Sequence, residues 1–215
     1  SAAAPDYLLI KIETIDERYP SLDDSLCLHL ITQRYRFVNS ENGFLLWQRA
    51  PEEFNPRTVA ITPRRSANLT IGQVLNVADL TTEPLWATID LPTSWLGRIR
   101  NFFYKPPVIR LQLKDDHGSI TSFRLPQPQG RTGFILSPII ENTDSLMAFV
   151  GGKPSRRVHS LSWLTDSADQ KYVGTQAHIT IGTLRPTTAA GAYFAQEEKW
   201  RFYMFDSIPD SYQAL

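Results

Sequence analysis

Apolar and polar positions alternate strictly through the middle of the chain. Leu85, Ala87, Ile89 and Leu91 are interleaved with Trp86, Thr88 and Asp90, and Ile109, Leu111 and Leu113 with Arg110, Gln112 and Lys114. A period of two puts one set on a core and the other opposite, as in half-buried strands. Asp115-Asp116-His117-Gly118 then turns the chain into a strand over 120–125. Stretches 158–164 and 176–184 predict two more, with Ala177, Ile179 and Ile181 on one face of the last. Several such strands separated by turn signals predict an antiparallel β-sandwich of jelly-roll type over residues 56–185.

The first fifty residues read differently. Residues 7–13 form a nearly continuous apolar run, expected to be a buried strand. Tyr19-Pro20 breaks it, and a helix is expected from Ser21, with Asp23 in its first turn and Asp24 in a capping-box position. Leu22, Leu26, His29 and Leu30 would form its inward face. Strands over 35–38 and 44–48 follow, joined by Asn39-Ser40-Glu41-Asn42-Gly43, whose Asn-Gly ending suits a hairpin. This small α/β unit at 5–50 has too little sheet to stand alone and should dock on the sandwich. The turn-rich stretch 50–57 marks the boundary. A helix is expected at 142–149, capped by Asn142 or Thr143 and stopped by Gly151-Gly152. The segment 186–215 reads as a linker and then a tail packed on the sandwich, because Trp200, Phe202, Tyr203 and Phe205 are apolar.

Composition narrows the function classes. The 215 residues are 42% hydrophobic and 20% charged, as in a folded globular protein. Formal net charge is zero, which argues against a nucleic-acid partner. Cys27 is the single cysteine, so neither an internal disulfide nor a cysteine-rich metal site can form. No apolar run reaches the roughly 18–20 residues that span a bilayer.

Few residues suggest chemistry. His29, His117, His159 and His178 lack metal-ligand spacing, with His159 and His178 on adjacent strands the one conceivable pair. No nucleophile elbow is present, and Ser137 and Cys27 lack the setting of an activated nucleophile. The acidic pairs have local explanations: Asp23-Asp24 in a helix start, Asp115-Asp116 in a turn, Glu52-Glu53 in a linker and Glu197-Glu198 near the tail. Gly151-Gly152-Lys153 follows a helix, where it reads as a C-cap and not a phosphate cradle. No catalytic residue, metal or cofactor is expected.

The exception is the run 94–107, Ser-Trp-Leu-Gly-Arg-Ile-Arg-Asn-Phe-Phe-Tyr-Lys-Pro-Pro, placed between two strands. In one reading it is an amphipathic helix or wide loop that plugs the sandwich, with Leu96, Ile99 and Phe103 inward and the cations in water. In the other, its aromatics meet sugar rings or lipid headgroups while its cations meet phosphate or carboxylate. The expected contact patch is Trp95, Arg98, Arg100, Tyr104 and Lys105.

Pro5-Asp6-Tyr7, the stretch 15–24, Arg34-Tyr35, Phe44-Leu45-Leu46-Trp47-Gln48-Arg49, Trp95-Leu96-Gly97-Arg98-Ile99-Arg100 to Lys105-Pro106-Pro107, and 133–142 carry a resemblance. They are similar to segments in the soluble C-terminal region of polytopic bacterial inner-membrane proteins of glycosyltransferase-like character. The resemblance covers roughly residues 5–165. It implies a periplasmic, non-catalytic accessory domain built like a carbohydrate-binding module. Its partners would be a glycan or lipid-linked sugar, the parent membrane domain or the membrane surface. The alternatives are a stand-alone carbohydrate-active hydrolase and a purely structural interaction domain.

Overall fold

The computed structural model describes residues 4–23, 25–49, 59–153 and 156–186. The N-terminal unit comprises β1 (Tyr7–Lys11), α1 (Pro20–Asp23), α2 (Ser25–Arg34), β2 (Tyr35–Glu41) and β3 (Phe44–Arg49). Its sheet has the order β1-β3-β2, all antiparallel. The β2–β3 hairpin closes through Asn42-Gly43 alone, both with positive φ (51° and 79°), as a tight two-residue turn requires.

Eight further strands follow: β4 (Val59–Thr70), β5 (Leu75–Asn76), β6 (Leu85–Asp90), β7 (Ile109–Asp115), β8 (Ile120–Arg124), β9 (Phe134–Ser137), β10 (Val158–Thr165) and β11 (Gln176–Pro186). They form two antiparallel sheets, β4-β11-β6-β9 and β5-β10-β7-β8. The pairs β4/β11, β5/β10, β6/β9 and β7/β8 nest from the ends of this region to its middle. The chain is thus one long hairpin rolled into two sheets, which is the jelly-roll order. Three helices sit in its connections: α3 (Trp95–Phe103), α4 (Gln127–Thr132) and α5 (Thr143–Val150).

Period-two alternation supplies the core. Leu85, Ala87 and Ile89 of β6 and Ala177, Ile179 and Ile181 of β11 are buried in one cluster with Ile109, Leu111 and Leu113 of β7 and Trp163 of β10. The Trp163 indole N–H donates to the Leu69 carbonyl at 3.0 Å, so this ring is buried without an orphaned donor.

A second core explains Trp86, which points away from the first. Trp86, Ile135 and Leu184 pack with Ile12, Leu28, Phe37, Leu45 and Trp47 of the N-terminal unit and with Leu146 and Val150 of α5. The unit therefore covers the outer face of the β4-β11-β6-β9 sheet. Thr143 ties them further: its Oγ1 accepts from the Ile12 N–H at 3.2 Å and donates to the Gly43 carbonyl at 2.8 Å. α5 has the expected cap, with Asn142 accepting from the Ser145 N–H at 2.9 Å and Ser145 reciprocating.

Some expectations need correction. β1 is not a fully buried strand but a half-covered edge strand: Leu8 and Ile10 pack against the second core, while Tyr7 and Leu9, on its other face, are exposed. The expected helix from Ser21 is two helices, and Leu22 and Leu28 are buried while Leu30 is exposed. Ser21 is the second residue of α1 and is buried, with its hydroxyl accepting from the Ile135 N–H at 2.9 Å, while Asp24, its expected capping-box partner, lies outside the described residues. His159 and His178 are not neighbours but lie in different sheets, on β10 and β11. The expected linker at 50–57, the pairs Glu52-Glu53 and Glu197-Glu198, and the tail beyond Pro186 lie outside the described residues.

Candidate functional site

Consecutive strands of a rolled hairpin run in opposite directions, so the β4–β5, β6–β7, β8–β9 and β10–β11 connections gather at one end. Contacts there agree. Thr93 bridges Val173, its Oγ1 donates to Gln127 Oε1 at 3.1 Å, and the Gly72 N–H donates to the Trp163 carbonyl at 3.0 Å. The run 94–107 forms the β6–β7 connection, and most of it is α3.

Ser94 starts α3. Its Oγ accepts from the Gly97 N–H at 3.1 Å and donates to the Lys171 carbonyl at 2.7 Å, while its own N–H donates to the Tyr172 carbonyl at 3.2 Å. One cap thus begins the helix and fastens it to the β10–β11 connection. Gly97 is buried against that connection, where a Cβ would lie 2.0 Å from the Tyr172 carbonyl oxygen. One turn on, Arg100 Nη1 pairs with Asp169 Oδ1 at 2.5 Å, and its guanidinium lies 4.4 Å from the centre of the Tyr172 ring. Asp169 Oδ2 accepts from the Val108 N–H at 3.1 Å, so one carboxylate holds the helix and its exit. The Arg100 hydrogen bond keeps the Asp169 carboxyl below its ordinary value; burial opposes this and loses.

The inward side of α3 is therefore Gly97 and Arg100, with Leu96 half-buried. Ile99 and Phe103 do not plug the sandwich, as the first of the two readings had them; they are 51% and 69% exposed. The reason is steric and electrostatic: the helix rests on a polar connection through its glycine and an ion pair. Trp95 (70%), Phe102 (83%) and Tyr104 (75%) are also exposed. At roughly 100° per residue, Arg98, Phe102, Trp95, Ile99 and Phe103 fall in that order across one side of the helix. α3 is amphipathic with its apolar stripe turned away from its own protein. The rings of Phe102 and Phe103 meet edge to face at 4.9 Å. Aromatic side chains bury roughly 150–250 Å² each, so the patch reaches the few hundred Å² that monomers rarely leave bare.

Of the expected contact residues, Trp95 and Arg98 are exposed on this face, and Tyr104 and Lys105 are exposed just beyond the helix end. Among the described residues, neither Arg98 nor Lys105 makes an ion pair or a side-chain hydrogen bond. Arg100 is committed to Asp169 and Tyr172 and serves as an anchor. Ile99, Phe102 and Phe103 were missing from the expected set. Their signal was present in the spacing 95, 99, 102, 103, read against a glycine on the opposite side.

Other groups are engaged structurally. Burial pushes the Asp115 carboxyl up, but Arg156 and the N–H groups of Ser119 and His117 more than offset it, and the net shift is downward. Arg156 also pairs with Glu141 at 2.7 Å, locking the opposite end of the roll. Ser137 is buried and accepts from the Val158 N–H at 3.1 Å. Cys27 is exposed. Among the described residues, no group of three or more His, Cys, Asp or Glu is placed to hold a metal ion. No described helix is long and apolar enough to cross a membrane. No protein-family model, curated protein or solved structure matches the chain.

Proposed function

We propose that this chain is a non-catalytic, extracytoplasmic accessory domain of a membrane protein and that the outward face of α3 is its docking surface. The inverted helix carries the reading: Trp95, Ile99, Phe102 and Phe103 are held in solvent by a cap, a buried glycine and an ion pair on the other side. A surface that exposes so much apolar area on a rigid mount is suited to a partner. The resemblance to soluble regions of inner-membrane proteins supports a periplasmic setting with a glycan, lipid-linked sugar or envelope component as that partner. For the hydrolase alternative, Asp23 and Asp115 are weak candidates because guanidinium groups of Arg18 and Arg156 already engage them.

The test compares the wild-type chain with Trp95→Ala/Tyr104→Ala on a glycan array and on vesicles of envelope phospholipids, with melting temperature as the control. The wild type should bind one of the two sets, and the variant should lose that binding while melting unchanged. A wild type that binds neither, or a variant that binds as well, contradicts the proposal.

A further inference from the structure

Resting on that docking surface, we infer that its occupant is the headgroup zone of an anionic phospholipid bilayer, with α3 lying in the plane of the interface. The residue chemistry selects lipid over sugar. Sugar sites surround an aromatic ring with side chains that accept from hydroxyl groups, whereas the run 94–107 contains no carboxylate and offers Asn101 as its single amide. What it does offer is an apolar stripe of Trp95, Ile99, Phe102 and Phe103 along the helix, with exposed Tyr104 just past its C-terminal end. Amphipathic aromatic rings settle at headgroup depth, and such helices bury their apolar side about 5–10 Å into the boundary.

Charge points the same way. Arg98 and Lys105 flank the stripe without an ion-pair partner among the described residues, and exposed Lys171 stands in the adjoining β10–β11 connection. The acids of that connection are Asp169, cancelled by Arg100, and Asp166. A local cationic excess beside an apolar stripe complements phosphate-bearing anionic lipid, although the whole chain is neutral. Val74, 62% exposed in the β4–β5 connection, adds an apolar side chain at the same end of the roll. Ser94, Gly97 and Arg100 already fix the helix, so docking needs no folding step.

Flotation with phosphatidylcholine vesicles, with and without phosphatidylglycerol, tests this on the full chain. Four variants accompany the wild type: Phe102→Ser/Phe103→Ser, Arg98→Glu/Lys105→Glu, Trp95→Phe, and the control Ile120→Ser at the opposite end of the roll. The wild type should float with anionic vesicles and lose binding as salt shortens the screening length from about 10 Å at 0.1 M to about 3 Å at 1 M. The serine pair should abolish flotation, and charge reversal should weaken it at least about tenfold. Ile120→Ser should float like the wild type. Brominated lipid should quench tryptophan emission in the wild type and not in Trp95→Phe. Absence of flotation, equal binding to neutral vesicles, or indifference to charge reversal overturns the lipid assignment. If vesicles fail while Trp95→Ala/Tyr104→Ala loses binding on the glycan array, the docking face stands and its occupant is a sugar. Concentration-dependent dimers lost in the serine pair would instead assign the face to a second copy.

Discussion

α3 and α5 are short helices at opposite ends of the same roll, and each begins at a side-chain cap, Ser94 and Asn142. They differ in what they turn toward the protein. α5 buries Leu146 and Val150 in the second core, at 1% and 4% exposure. α3 turns Gly97 and Arg100 inward and leaves Phe102 at 83%. Helical spacing of apolar residues is the same evidence in both cases, so spacing cannot decide direction. The opposite face decides it: a glycine and a paired arginine seat a helix on a polar surface as securely as leucines seat one on a core.

The sharpest break between the two helices should appear on truncation of α5. Leu146→Ala removes a fully buried side chain from a core shared by the N-terminal unit and the outer sheet face, and should cost about 2–5 kcal/mol in urea unfolding. A cost below about 1 kcal/mol would mean that α5 is as loosely held on its apolar side as α3.

A smaller effect is expected from the α3 anchor. Asp169→Asn loses a partly buried charge-assisted pair and should cost about 1 kcal/mol at neutral pH. The sign follows from the Asp169 carboxyl being held below its ordinary value by Arg100. Its stabilisation is present above the unfolded pKa, about 3.9, and is lost as pH falls through the lower folded value. The gap in melting temperature between wild type and variant should therefore narrow only below about pH 4. A gap constant through acid would show that the pair contributes by packing alone.

The sandwich was legible because β6, β7, β10 and β11 carry apolar residues on alternate positions or bury both faces in continuous runs. β4 was not, because Pro63, Arg64, Arg65 and Ser66 interrupt any alternation. An edge position tolerates the missing proline N–H, and the register with β11 shifts there. β9 is four residues, Phe134–Ser137, all buried, too short for a period to show. The run 94–107 was legible as an amphipathic helix or a wide loop of unusual composition, while its direction depended on the β10–β11 connection, some seventy residues away in sequence. No local pattern tells that Tyr172 will stand against Gly97.

The central claim is that the apolar stripe of α3 contributes nothing to the fold and is free for a partner. Its most direct test is the urea unfolding free energy of Phe102→Ser/Phe103→Ser beside wild type, without vesicles. Exposed side chains predict a difference within about 0.5 kcal/mol. A loss of about 2 kcal/mol or more would place these rings in a core and contradict the account.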